Sequence, residues 1–337
     1  MPLLPAGRHW GDVMERLLQG CVVAALLAFC SVSAAQGFPV AGKSIRLVVP
    51  TPPGGTTDLQ ARLIAPKLGD ALGAPVLVDN KPGASTIIGA QEVARAAPDG
   101  HTLLYTFSVT HTQAPHLFAK IPYDPFRDFT PITQVARAST ILVVHESIPA
   151  SSVRELVAYA KANPGKLNFG SFSPGSGSHL LGELLKLETG IDIIHIPYKG
   201  SGDAIKDLLS GRVQLMFDGP ATAIANARTG RVRMLATAGP NRIAGAPEVP
   251  TMAEQGFPSV SGVGYLGVFG PAGMPAATLR RLNAELVKIV RAPEIADNLT
   301  RGGTEPTGTS PEEFAAIVRE LHETWGRVIR QIALKLD

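Results

Sequence analysis

Short apolar runs alternate with stretches of helical spacing along most of the chain, and that alternation predicts an α/β fold with mostly parallel strands. Residues 45–50 read as a strand, and 59–72 as a helix with apolar side chains at 59, 63, 64, 68, 71 and 72. Thr57, Asp58 and Gln60 fit a capping box at its start. Pro66 inside it is expected to remove one backbone hydrogen bond and kink it. A strand at 75–79, a loop at 81–85, a helix at 87–96, a turn at Pro98-Asp99-Gly100 and a strand at 102–107 complete the unit.

The middle of the chain repeats this order. A strand at 167–170 leads through a Gly/Ser loop at 171–178 to a helix at 179–187, a strand at 191–196, a loop at 199–202, a helix at 203–209 and a strand at 213–217. Two equivalent βαβαβ units imply two lobes. Two strands fall in 132–145, the second (140–145) entering the second lobe, and the chain returns after 234–238 through Gly239-Pro240 and the Pro-rich stretch 247–258. A strand at 265–269 and helices at 276–291 and 311–334 close the chain. The first lobe is therefore expected to comprise 36–140 and 246–337, and the second 141–245. Two crossings predict a two-strand hinge and a ligand cleft between the lobes.

The first 35 residues read as a cleaved targeting segment: Arg8 and Arg16, an apolar run at 21–30, then small residues that suit cleavage near Ala35. The run is too short to span a bilayer stably. Met14 is an alternative start. Cys21 and Cys30, the two cysteines, both fall in this segment, so the mature chain carries neither thiol catalysis nor a disulfide. Phe29 before Cys30, and the position of Cys21 ahead of the apolar run, speak against a lipid anchor. The chain is therefore expected to be exported from the cytoplasm.

A net charge of +3 is too small for a phosphate-backbone binder, and 6% aromatic content does not supply stacking platforms, so nucleic acid is excluded as a partner. Hydrophobic content of 45% with 18% charged residues suits a chain with a substantial core.

The candidate chemistry lies where strands run into helices. At 48–58 the sequence VVPTPPGGTTD places Thr51, Pro53, Gly54, Gly55, Thr56, Thr57 and Asp58 at a strand end and helix start. At 171–179 the device recurs with Ser171, Ser173, Gly175, Ser176, Gly177, Ser178 and His179. Helix N-termini expose about four unpartnered N–H groups and about half a positive charge. Glycines let a ligand approach the backbone, and hydroxyls add donors, so such loops bind anions without a formal cation. A plain turn with a helix cap is the alternative for either loop alone; the repetition favours binding. Asp58 fits either a dipole partner or a site residue. Asp218, at a strand end, fits either a turn cap or a ligand-orienting group, and Lys81 and Lys199 fit either surface counter-charges or ligand contacts. The loops lack the Walker spacing, GxGxxG and GxSxG, and His111 and His116 lack the HExxH pattern, so neither a cofactor nor a metal is expected.

Taken together, PPGGTTD (52–58), VDNKPGA (78–84), AAPDGHTLLY (96–105), PYKGSG (197–202) and MFDG (216–219) resemble the Bug family, the periplasmic solute-binding receptors of tripartite tricarboxylate transporters. The resemblance runs from about residue 43 to the C-terminus. It implies a two-lobed type II periplasmic binding fold that closes on a small carboxylate, held by amides, hydroxyls and bridging water, and that delivers it as a monomer to membrane transporter subunits. It also implies that Gly83, Ala84 and Ser85, Thr106, Ser108, Thr110 and His111, Tyr198, Lys199 and Gly200, and Asp218 line the cleft beside the two loops. The chain departs from the family pattern at Thr51, at 110–113 and at 262–265, positions expected at the ligand's distal end. Small residues there suggest room for more than a four-carbon acid; dicarboxylates, tricarboxylates, amino acids and aromatic acids all remain open. Two other functions compete: a ligand-sensing partner of a membrane signalling protein, and an exported hydrolase using Ser173 or Ser176 with His179.

Overall fold

The computed structural model describes residues 37–336. The expected targeting segment, with both cysteines and the expected cleavage positions, lies outside the described residues.

Eleven strands form two mixed sheets. β1 (Ile45–Val49), β2 (Val76–Asn80), β3 (Thr102–Phe107), β4 (Phe129–Ala138), β10 (Gly264–Pro271) and β11 (Glu305–Pro306) make the first, in the order β11-β4-β10-β3-β1-β2. β5 (Ile141–His145), β6 (Leu167–Ser171), β7 (Ile193–Pro197), β8 (Leu215–Asp218) and β9 (Val232–Thr237) make the second, in the order β7-β6-β8-β5-β9. If β1, β2 and β3 are matched with β6, β7 and β8, β10 with β5 and β4 with β9, the two orders coincide apart from the short edge strand β11. The expectation of mostly parallel strands needs correction. β1 pairs parallel with β2 and β3, and β6 with β7 and β8, but β10 and β5 each run antiparallel to both neighbours. The reason is the path of the chain: the strands by which it crosses between sheets enter from the opposite end.

Hydrophobic alternation along β5 explains how its sheet is covered. Leu142 and Val144 join one buried cluster with Phe169, Leu180 and Phe217, while Ile141 and Val143 join another with Ala204, Leu208 and Met216. A strand buried on both faces reads as a continuous apolar run, which is what ILVVH is.

Helices follow the strands: α1 (Thr56–Leu72), α2 (Ile87–Ala94), α3 (Val153–Ala162), α4 (Gly177–Thr189), α5 (Ser201–Leu209), α6 (Pro220–Ala227), α7 (Ala276–Arg291), α8 (Pro293–Arg301) and α9 (Pro311–Gln331). α1 starts at Thr56, three residues earlier than the pattern predicts, and Pro66 sits in its interior without ending it. Its predicted capping box does not form: Gly55 is the N-cap, and no side chain caps the helix. Gln60 instead accepts the Tyr105 hydroxyl at 2.8 Å and donates to Thr304 at 3.0 Å, both buried. α9 does carry a capping box, between Ser310 and Glu313. Its first half packs Phe314 and Val318 among Tyr265 and Phe269 of the first sheet, and its second half packs Trp325 and Ile329 among Leu180 and Leu181 of α4.

The two crossings run side by side. Ala138 pairs with Gly264, the Ala238 amide donates to the Thr140 carbonyl at 2.9 Å, and the Gly262 amide donates to the Ala238 carbonyl at 2.9 Å.

Candidate functional site

β1 and β6 hold equivalent places, and the loops that leave them face one another. The first loop is organised by Asp58, which is buried. Its carboxylate accepts from the Gly54 amide at 2.9 Å, from Asn80 Nδ2 at 2.9 Å and from Arg62 Nε at 3.0 Å. Burial raises its pKa, but Arg62 and the two other donors outweigh that effect and hold the carboxyl below its ordinary range. Asp58 therefore shapes the turn that aims the start of α1. On the opposite loop Ser176 caps α4, accepting the His179 amide at 3.4 Å and donating to the Ser173 carbonyl at 2.6 Å.

The loops, the crossings and α9 enclose a cavity with about 830 Å³ of atom-free space, open solvent at its mouth included. Four helices begin at its wall: α1 at Thr56, α4 at Gly177, α5 at Ser201 and α6 at Pro220. No side chain caps α1, α5 or α6, whose N-caps are Gly55, Gly200 and Gly219. The two sides are in close contact: a Cβ at Gly219 would stand 2.6 Å from Thr56 Oγ1, and one at Gly200 would stand 3.0 Å from Pro52. Apolar side chains, among them Phe107, Phe172, Leu181, Val263 and Leu266, share the wall with Ser108, Gln113, Ser139 and Thr140. Among the described residues, no Lys, Arg, His, Asp or Glu stands on this wall. Buried polar atoms without a hydrogen-bond partner gather here: the hydroxyls of Thr51, Thr56 and Thr140, Gln113 Oε1 and Trp325 Nε1, with the Ser178 hydroxyl beside Gly177.

Phe107 at the end of β3 and Phe172 after β6 meet edge to face at 5.8 Å across the cleft. Both line the inner cavity and also an outer hollow that carries Lys199, Lys335 and Tyr198.

The predicted residues sort accordingly. Thr51, Gly55, Thr56, Thr57, Ser108, Gly177 and Gly200 stand on the inner wall. Gly83, Ala84, Ser85, Ser173, Tyr198 and Lys199 line the outer hollow, which Thr51 also reaches. Lys81 lies 3.6 Å from Asp79. Pro53, Gly54 and Asp58 build the first turn, and Ser171, Gly175, Ser176, Ser178 and His179 build the second. Thr106 and Thr110 lie behind the wall in a buried hydroxyl chain, 2.7 Å apart, that continues to Thr86 at 2.9 Å. His111 belongs to the core, stacked on Phe269 at 4.0 Å with Nδ1 3.0 Å from the Tyr265 hydroxyl. Burial, helped by His322, drives its pKa down to about 3. His179 stacks on His195 at 3.7 Å, and burial together with His195 drives its pKa down to about 3. Asp218 sits one layer behind Ser201 and accepts from the hydroxyls of Ser201 and Thr222; burial pushes its pKa up to about 6.

Neither Ser173 nor Ser176 meets a histidine ring in the way a nucleophile needs. Ser173 Oγ donates to the Pro174 carbonyl, and His179 Nδ1 accepts the Gly175 amide at 3.0 Å. Wall residues outside the predicted set include Gln113, Thr140, Leu181, Val263 and Trp325, with Phe107 and Phe172 inside the predicted loops. Gln113 and Val263 fall in the segments where the chain departs from the family pattern and Thr140 begins a crossing, whereas Leu181 and Trp325 lie in helices whose spacing reads as packing.

Gly83 to Thr86 hold an uncommon backbone. Gly83 has φ 135°, and Ala84, Ser85 and Thr86 follow at 45°, 51° and 80°. Left-handed non-glycine residues cost on the order of 1–3 kcal/mol each and persist where surrounding contacts fix them. Here Ser85 Oγ donates across the cleft to the Pro174 carbonyl at 2.9 Å, and Thr86 is tied to Thr110.

A family model described as "Tripartite tricarboxylate transporter family receptor" matches residues 60–334. The chain belongs to this family. Receptors of this kind are periplasmic solute-binding proteins and not enzymes. The receptor is 34% identical over 327 residues to BugT of Bordetella pertussis, covering 96% of this chain and 99% of BugT. Its fold matches R. palustris Rpa4515 with adipate at a TM-score of 0.85 and 33% identity, over 88% of this chain and 99% of that one. It matches the periplasmic binding protein BugD at 0.82 and 30% identity, over 87% and 99%.

Proposed function

We propose that this receptor is exported to the periplasm, with its targeting segment removed near Ala35, and closes over a small carboxylate that it delivers as a monomer to a tripartite tricarboxylate-type transporter. The lobes that close are 36–140 with 246–337, and 141–245. One observation carries the reading: three uncapped helix N-termini and the unpartnered Thr51 and Thr56 hydroxyls converge on a cavity wall without a charged side chain. Such a wall stabilises an anion through dipoles and N–H donors. It offers no counter-charge to an ammonium group, so acids without an amine fit better than amino acids. Binding of adipate by a relative is consistent with an acid of that size.

Thermal unfolding of the chain from residue 36 onward, stripped of bound ligand by unfolding and refolding, tests the proposal. The panel comprises dicarboxylates, tricarboxylates, amino acids and aromatic acids. Ligand at a hundred times its dissociation constant adds about 2.7 kcal/mol, a shift of several degrees. A shift with one class of acid and none with amino acids is the expected outcome. A shift with amino acids alone would remove the charge argument.

A further inference from the structure

The helix starts at Thr56, Ser201 and Pro220 lie together, for a Cβ at Gly55 would stand 3.8 Å from Ser201 Cβ and one at Gly219 2.6 Å from Thr56 Oγ1. They form the carboxylate end of the cavity. A second polar cluster stands round Gly177. A Cβ there would lie 3.9 Å from Trp325 Cζ2 and 4.0 Å from Gln113 Nε2. Trp325 and Gln113 are 3% and 1% exposed, both stand on the cavity wall, and Trp325 Nε1 and Gln113 Oε1 have no partner. A buried donor or acceptor without a partner is rare in a folded protein and costs as much as a lost hydrogen bond. Here one side chain with an unpartnered donor and one with an unpartnered acceptor line the same cavity from different elements, α9 and the turn Val109–Gln113.

We infer that Trp325 and Gln113 form a second subsite that reads a neutral hydroxyl at the far end of the ligand. A hydroxyl satisfies both groups at once, accepting from Trp325 Nε1–H and donating to Gln113 Oε1. A second carboxylate at this place accepts from Trp325 and from Gln113 Nε2 but leaves Gln113 Oε1 without a proton, and no cation on the wall offsets its charge. The body between the two ends is apolar, because Phe107, Phe172, Leu181, Val263 and Leu266 line the space. The ligand class is therefore a monoanionic hydroxy acid with an apolar body. This inference rests on the carboxylate-receptor reading and deepens it.

Trp325 is a specificity residue whose ring also packs. The ring fixes the crossing strand, since a Cβ at Gly262 would stand 2.6 Å from its Cη2. The test separates the two roles. Dissociation constants are measured by calorimetry for two matched pairs, 4-hydroxyphenylacetate with phenylacetate and 6-hydroxyhexanoate with hexanoate, and for adipate. In the unaltered protein at least one hydroxy acid is expected to bind about tenfold more tightly than its deoxy partner. Trp325→Phe removes the N–H and shortens the ring, so it should abolish the preference within each pair, while any loss common to both members reflects the smaller ring. Gln113→Leu should do the same through the other partner, and it serves if Trp325→Phe fails to fold. Equal binding within each pair, or tighter binding of adipate than of either hydroxy acid, overturns the subsite while leaving the receptor reading intact. Equal losses for both members of a pair in the variants reduce Trp325 and Gln113 to packing. Binding of none of the five acids overturns the hydroxyl subsite, while the carboxylate reading falls only if the wider panel of acids also fails to bind.

Discussion

Asp218 shows how a single side chain near the cleft reports its surroundings. Burial raises its pKa to about 6, against the hydroxyls of Ser201 and Thr222 that favour the charged form. The folded state thus holds this proton more tightly than the unfolded state, whose reference value is 3.8. Its contribution to stability is fully present below pH 3.8 and is lost as pH rises through about 6. His111 and His179, with pKa values near 3, and His195, near 4, act in the opposite sense. They are neutral in the fold, and the stability they confer is present above pH 6.5 and lost on acidification toward those values. Urea unfolding from pH 7 to 4 is therefore expected to show declining stability. Asp218→Asn should decline more steeply, because it lacks a group that gains on acidification. Parallel curves for variant and parent would place the titration elsewhere.

Among the elements, the strand-to-helix loops were legible because their chemistry is local. Gly54-Gly55 and Gly175 to Gly177 punctuate apolar runs, and a turn before a helix leaves donors wherever it occurs. The order of elements along the chain was legible for the same reason, since each unit repeats within a few tens of residues, but the antiparallel entry of β5 and β10 was not. Nor was Trp325. It lies in a helix whose spacing reads as ordinary packing, and its place on the cavity wall depends on contacts with Gly177 and Gly262, far away in sequence. His111 illustrates the converse: a polar residue in a promising loop stacks on Phe269 in the core. The failed capping box at Thr57 follows from Gln60 finding Tyr105 and Thr304. Where the box does form, at the start of α9, its contribution is separable from the site. Ser310→Ala should lower stability by about 1 kcal/mol without altering ligand affinity. Thermal unfolding and calorimetry on one preparation would check both halves, and altered affinity would tie the start of α9 to the cavity.

At the scale of the whole molecule, contacts join the two sides of the cleft, and one of them comes from the left-handed segment Ala84 to Thr86. Its cross-cleft bond from Ser85 to the Pro174 carbonyl exists only while the two sides meet. Ser85→Ala is expected to weaken ligand binding several-fold by disfavouring the closed population, with unliganded melting almost unchanged. Small-angle scattering with and without ligand, alongside the dissociation constant, would read it; identical affinity would show that closure does not depend on that bond. The inner wall carries a broader consequence. Attraction between formal charges fades as dissolved ions crowd round them, whereas short contacts to amides and hydroxyls inside a desolvated cavity are little screened. A solute held this way stays bound across wide changes in ionic strength, so the receptor's occupancy tracks the concentration of its solute and not the saltiness of the water that brings it.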